Sequence, residues 1–120
     1  SVKITYPWKL TLGDYAWVGD DAVLYTLGEI TIGANSVVSQ KCYLCTGSHD
    51  FMSPHFDITA SPVVIGEKCW LATDVFVAPG VSVGDGTVVG ARSSVFKSLP
   101  ANKICRGNPA VVIRERVETD

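Results

Sequence analysis

Charge is scarce in this chain of 120 residues: ten Lys and Arg face twelve Asp and Glu, 18% in all, for a formal net charge of -2. A nucleic-acid partner favours a basic surface, so none is expected. Long apolar runs are missing as well. No stretch approaches the roughly 20 residues that span a bilayer, so no membrane insertion is expected. The opening "SVKITYPWKL" lacks the long apolar core of a signal peptide, which makes a cytoplasmic protein the expectation. Histidine is rarer still, with only His49 and His55. Cys42 and Cys45 form a CxxC, yet no second CxxC and no histidine pair at finger spacing completes a zinc site. No metal is expected, and Cys42, Cys45, Cys69 and Cys105 read as reduced, small apolar residues.

What the chain does have is apolar residues, 47% of it, which excludes disorder and suffices for the core of one domain over 1–120. These residues keep a beat. From Ile65 an aliphatic residue returns every six positions, at Leu71, Val77, Val83, Val89 and Val95. The next position is small in five cases of six, reading Gly66, Ala72, Ala78, Gly84, Gly90 and then Phe96. Four places after each aliphatic stand Cys69, Val75, Val81, Thr87, Ser93 and Leu99. Earlier the beat runs through Leu12, Val18 and Leu24, then resumes two residues out of step at Ile32, Val38 and Leu44.

A period of six is neither helical nor a long alternating strand. It fits a strand of about four residues and a turn of about two, with corners such as "IGAN", "IGEK", "VGDG" and "VGDD". Each hexad is one flat side, and stacked sides make parallel sheets: an all-β solenoid. The aliphatic residue points inward, and small neighbours are needed where coils crowd a corner. Three sides give eighteen residues per coil, so residues 12–100 hold four to five coils. Residues 1–11 read as a partial coil with no cap. Pro100 and Pro109 stop the ladder, and in the tail 101–120 "VVIRERV" reads as a short capping strand or helix.

One segment breaks the beat. From Leu44 to Ile65 is 21 residues where one coil needs eighteen, and "DFMSPHFDITASP" keeps no rhythm. An excursion near 50–62 is expected, with the beat holding to Ser48 and His49 standing at a coil edge. Phe51, Met52 and Phe56 on this polar, proline-bearing loop either pack on their own solenoid or wall an acceptor site, reaching toward a neighbouring subunit.

The hexads resemble those of the hexapeptide-repeat acyltransferases. "WVGDDAVLYTLGEITIGANSVVSQKCYLCTGSHDF" and "GARSSVFKSLPANKICRGNPAVVIRER" are similar to the colanic acid biosynthesis acetyltransferase branch, beside the galactoside and maltose acetyltransferases. The resemblance covers nearly the whole chain, although members of this branch usually carry a longer N-terminal region. It implies a left-handed parallel β-helix, assembly as a homotrimer with active sites between subunits, and acetyl-CoA as co-substrate. The implied reaction is direct transfer of acetyl to a saccharide hydroxyl in a ternary complex, in polysaccharide biosynthesis.

Within that resemblance His49 of "TGSHD" takes the place of the catalytic base. Imidazole suits the task, because it titrates near neutral pH and can take the hydroxyl proton, then return it to the departing thiolate. Backbone N–H groups at a coil corner, sought near Ala72, are candidates to hold the oxyanion. The coenzyme positions carried over are Trp70, Ala72, Thr73 and Ala91, with Arg92, Lys97 and Arg114 near its phosphates. Two residues depart from the pattern: Val111 where Lys or Arg is usual, and Phe96 where Thr is common; Arg92 and Arg106 are possible substitutes for the lost cation. Tyr25, Thr26 and Glu29 either line an acceptor pocket with Phe51 and Met52, or Tyr25 packs on the slipped coil. His55 matches no motif and reads as a solvated loop residue. Two other classes stay open: a non-catalytic or degenerate ligand-binding solenoid, and a zinc hydratase of the carbonic anhydrase type, which would need a replacement for its third histidine.

Overall fold

At nearly every bend one residue takes the left-handed backbone conformation: Tyr15, Asp21, Asn35, Lys41, Lys68, Asp74, Arg92 and Asn102, joined by Gly80 and Gly86. That conformation reverses the chain within a few residues and leaves two or three extended residues between bends. The computed structural model describes residues 1–117 and stacks the resulting strands into five coils. The first coil holds β1 (Lys3–Ile4), a 3-10 turn at Pro7–Lys9, β2 (Leu10–Leu12) and β3 (Trp17–Val18). The second holds β4 (Val23–Tyr25), β5 (Ile30–Ile32) and β6 (Val37–Val38). The third begins with β7 (Tyr43–Cys45), leaves the solenoid as a ribbon of β8 (Gly47–His49) and β9 (Ile58–Ala60), and returns as β10 (Val63–Ile65) and β11 (Trp70–Leu71). The fourth is β12 (Phe76–Val77), β13 (Ser82–Val83) and β14 (Val88–Val89). The fifth is β15 (Ser94–Val95), a bridge from Leu99 to Val83, and β16 (Lys103–Gly107), after which β17 (Ala110–Glu115) folds back.

Three parallel sheets form the sides of the prism. The first side runs β1-β4-β7-β12-β15, the second β2-β5-β10-β13, and the third β3-β6-β11-β14-β16, closed by antiparallel β17. Registers follow the counted beat: Leu24 pairs with Leu44 and Leu44 with Val77; Ile32 with Ile65 and Ile65 with Val83; Val38 with Leu71 and Leu71 with Val89. All of these are buried, and each removes a side chain from water for about 1.5–3 kcal/mol. Leu12 stays half exposed, because it lies in the first coil with no coil beneath it.

The small position has a steric cause. A Cβ on Gly33 would lie 2.5 Å from the carbonyl carbon of Gly66, and one on Gly84 would lie 2.5 Å from the Ala101 nitrogen. The other corner position ties coils together. Ser36 Oγ donates to the Gly66 carbonyl (2.6 Å) and accepts from the Cys69 amide (2.9 Å). Thr87 Oγ1 does the same between the Pro100 carbonyl and the Lys103 amide. Buried polar groups satisfied in this way stiffen the stack.

Several expectations need correcting. The first two repeats are 20 residues long, not 18, since Lys3 pairs with Val23 and Val23 with Tyr43. The slip of two residues is therefore a longer corner at the junction of the first and second sides. Leu44 and Ile65 stand on adjacent sides of one coil, and Ile32 to Ile65 spans 33 residues, so the excursion is larger than the 21-residue interval suggested. It also starts earlier: the chain leaves the coil at Gly47, and His49 sits on a two-stranded ribbon instead of a coil edge. Residues 1–11 supply two sides of the first coil. Of "VVIRERV", residues 111–115 lie in strand β17 and Arg116 and Val117 follow it; residues 118–120 of the tail lie outside the described residues. No helix among the described residues is long and apolar enough to cross a membrane.

Candidate functional site

His49 is placed by ribbon pairing. It lies opposite Ile58 in the β8–β9 register, the Asp50 amide donates to the Asp57 carbonyl (2.8 Å), and the Phe56 amide donates to the Ser53 carbonyl (3.1 Å). These bonds close the ribbon tip and hold Phe56 at a φ of 49°. The Phe56 carbonyl oxygen lies 2.8 Å from His49 Nδ1. A carbonyl only accepts, so Nδ1 carries the proton and Nε2 presents its lone pair. That is the tautomer a general base needs.

Beside the imidazole is a hollow of about 180 Å³ lined by Tyr25, Leu27, Tyr43, Cys45, Gly47, Ser48, His49 and Ile58. Gly47 leaves no room for a side chain, since a Cβ there would meet Tyr25 Cε2 at 2.7 Å. Burial raises the Tyr43 phenol above its ordinary value, with Cys45 and Tyr25 adding to the shift, so its hydroxyl stays protonated. The Cys45 thiol donates to the Gly47 carbonyl at 3.1 Å.

Tyr25 is thus the acceptor candidate that the structure brings to His49. Thr26 is fully buried; its hydroxyl accepts from the Tyr6 amide and donates to the Tyr6 carbonyl, binding the first coil to the second. It faces away from the hollow. Glu29 is exposed and lends its carbonyl to the Val63 amide. Phe51 and Met52 project from the ribbon tip, 77% and 82% exposed, and line no wall within one chain. His55 is exposed on the same tip, its amide reaching Ser53 Oγ. Leu27, Tyr43 and Ile58 escaped the sequence reading, because their meeting depends on how the ribbon folds over the first side.

A second hollow, of about 510 Å³, opens over the third side and its corner with the first. Trp70, Ala72, Thr73 and Ala91 meet there, with Ser39, Gln40, Val88 and Gly90. The Trp70 indole N–H donates to Ser39 Oγ (3.0 Å), and Thr73 Oγ1 donates to the Gln40 carbonyl (3.0 Å). The Ala72 amide already donates to the Val89 carbonyl (2.9 Å), so it is not a free oxyanion donor. Arg92 stands next to the groove, its guanidinium 4.0 Å from Asp74. Lys97 and Arg114 are exposed and outside the groove lining, Arg114 on β17 opposite Ile104. Phe96 packs on Phe76 with ring centroids 5.9 Å apart, and Val111 is exposed on β17. Cys42 and Cys69 are buried at corners and Cys105 on β16, and no cluster of three His, Cys, Asp or Glu side chains able to hold a metal occurs among the described residues.

Comparison with known proteins places this architecture. Residues 62–97 match the family model described as bacterial transferase hexapeptide (six repeats). The chain is 86% identical over all 120 of its residues to WcaF of Escherichia coli (strain K12), a protein named for acetyl transfer in colanic acid biosynthesis, and spans 66% of that relative's length. A maltose O-acetyltransferase from Clostridium difficile 630 superposes with a TM-score of 0.93 at 28% identity, over 98% of this chain and 65% of that one. A galactoside acetyltransferase in complex with coenzyme A does so with a TM-score of 0.92 at 28% identity, over 97% and 60%. With the repeat, the registers and these likenesses in agreement, the chain belongs to the hexapeptide-repeat acetyltransferase family.

Proposed function

We propose that the chain transfers acetyl from acetyl-CoA to a saccharide hydroxyl, with His49 as general base. The observation that carries this reading is the single open ring nitrogen of His49, fixed by the Phe56 carbonyl and standing beside the 180 Å³ hollow. Nε2 takes the proton of the acceptor hydroxyl as its oxygen attacks the thioester carbonyl. The tetrahedral intermediate collapses, the C–S bond breaks, and the imidazolium returns the proton to the thiolate. Such a base contributes on the order of 10²–10⁴-fold, and positioning of the two substrates supplies much of the remainder. The Cys45 thiol lines the hollow but is mostly buried and donates to the Gly47 carbonyl, which favours direct transfer over an acyl-enzyme.

The donor is assigned to the groove at Trp70, Ala72, Thr73 and Ala91. Its volume lies within the roughly 300–1,000 Å³ usual for such ligands. The name of the galactoside acetyltransferase complex and that of WcaF support coenzyme A as donor and a polysaccharide unit as acceptor. The groove and the His49 hollow share no lining residue and open over different sides of the prism. A complete site therefore pairs the hollow of one copy with the groove of another, in line with a homotrimer.

Two experiments test this reading. Mass spectrometry of a saccharide panel incubated with acetyl-CoA shows O-acetyl product with wild type and none above background with His49→Gln. Co-expressing His49→Ala and Ala91→Glu copies, each inactive alone, restores part of the activity, because some interfaces then combine an intact base with an intact groove. Product from His49→Gln at the wild-type rate would remove the base, and no recovery in the mixed assembly would remove the shared site.

A further inference from the structure

The hollow beside His49 has a lining of unusual uniformity for a polar substrate. Two phenols, Leu27, Ile58 and Cys45 make its surface, Ser48 and His49 its rim, and no Asp, Glu, Lys or Arg reaches it. Tyr43 is 38% exposed, and its ring is flanked on the next coil: Phe76 packs on it at 5.8 Å between centroids, and Phe96 packs on Phe76 at 5.9 Å. Phe96, the departure from the family pattern noted above, thus ends an aromatic run that braces Tyr43. Tyr25 is clamped against Gly47 at the foot of the ribbon.

We propose that Tyr43, with Tyr25, is a stacking floor for one uncharged pyranose ring, so that Tyr43 selects the sugar unit to be acetylated. A pyranose presents a C–H face and a hydroxyl rim. Phenol rings accept the face, while their hydroxyls, Ser48 and His49 meet the rim. The size agrees: about 180 Å³ lies below the roughly 300–1,000 Å³ usual for drug-sized ligands, which suits a single small ring. The charge agrees as well. A uronic acid or phosphosugar would bring an anion into a lining with no cation to pair it, and a buried unpaired charge is costly. Tyr43 acts here as a positioning residue, and the inference rests on His49 being the base that addresses this hollow.

The test separates binding from turnover. Methyl galactopyranoside, methyl glucopyranoside and methyl glucuronide are titrated by NMR into wild type, Tyr43→Ala, Tyr43→Phe and His49→Ala, with circular dichroism as a check on folding. The neutral glycosides are expected to bind wild type, and to bind His49→Ala with no more than the loss of one rim hydrogen bond, about 2–10-fold. Tyr43→Ala is expected to weaken them about 3–10-fold, the worth of one aromatic contact; Tyr43→Phe is expected to keep most of the affinity, and the glucuronide to bind at least about 10-fold more weakly. No binding of either neutral glycoside, equal binding by Tyr43→Ala and wild type, equal loss in the Ala and Phe variants, or a glucuronide bound as well as its neutral counterpart would each overturn the proposal. Should His49→Ala keep full turnover while binding still follows Tyr43, the base assignment fails and the stacking floor stands.

Discussion

His49 Nδ1 lies 2.8 Å from the carbonyl oxygen of Phe56, a residue held in the left-handed region at φ 49°. A bulky residue seldom adopts that conformation without compensation, and here it aims a carbonyl at an imidazole. Glycine at this position keeps the conformation and the carbonyl, so Phe56→Gly should retain kcat to within about tenfold. Proline fixes φ near -65° and swings the carbonyl away, so Phe56→Pro should lose about 10²-fold in kcat. The KM for acetyl-CoA should hold in both variants, because the donor groove lies over another side of the prism. Steady-state kinetics on the two purified variants checks this.

Ala91 lines the donor groove with Ala72 and Gly90, where side chains no larger than a methyl group leave the space open. Ala91→Glu should fill that space with an anion and raise the dissociation constant for coenzyme A by more than about tenfold. Isothermal titration against coenzyme A reads the loss directly, and unchanged circular dichroism shows that the coils persist.

Ser36 is fully buried and serves two backbone groups, the Gly66 carbonyl and the Cys69 amide. Ser36→Ala should cost about 2–4 kcal/mol in urea denaturation, since both groups lose a partner that water cannot replace. A substitution at neighbouring Val37, exposed on β6, should stay far below that figure.

Burial pushes the Cys42 and Cys69 thiols above their ordinary value of 9.0; backbone hydrogen bonds from Val75 and Thr87 oppose the shift only in part. A raised folded pKa favours the folded state while the thiol is protonated in both states. Its contribution is therefore complete below pH 9 and is lost as pH rises from there toward the folded values. The urea midpoint should fall as pH is raised above about 9, and Cys42→Ala should fall less steeply than wild type over the same range.

The repeat was legible residue by residue. Leu24, Leu44 and Val77 share one register, as do Ile32, Ile65 and Val83, because inward packing is a local demand that each hexad meets by itself. The two-residue slip before Ile32 was visible too, although its meaning, a longer corner in the first two coils, needed the pairings. Long-range relationships were hidden. The ribbon start at Gly47, the meeting of Tyr43 with Ile58 and the bond from His49 to Phe56 all depend on how β8 registers against β9, and no periodicity encodes that. Thr26 misled for a related reason: a threonine beside Tyr25 looks available in one dimension, but the first coil claims its hydroxyl. Arg116 went unnoticed, yet its guanidinium donates to the Lys68 and Gly86 carbonyls and pins the tail to two corners.

The central claim, His49 as the base for acetyl transfer, is tested most directly by thiol release from acetyl-CoA in the presence of a saccharide acceptor. The account predicts that His49→Ala lowers kcat by about 10²–10⁴-fold while the KM for acetyl-CoA stays at the wild-type value. Equal rates of thiol release from wild type and His49→Ala, with the acceptor saturating, would contradict it.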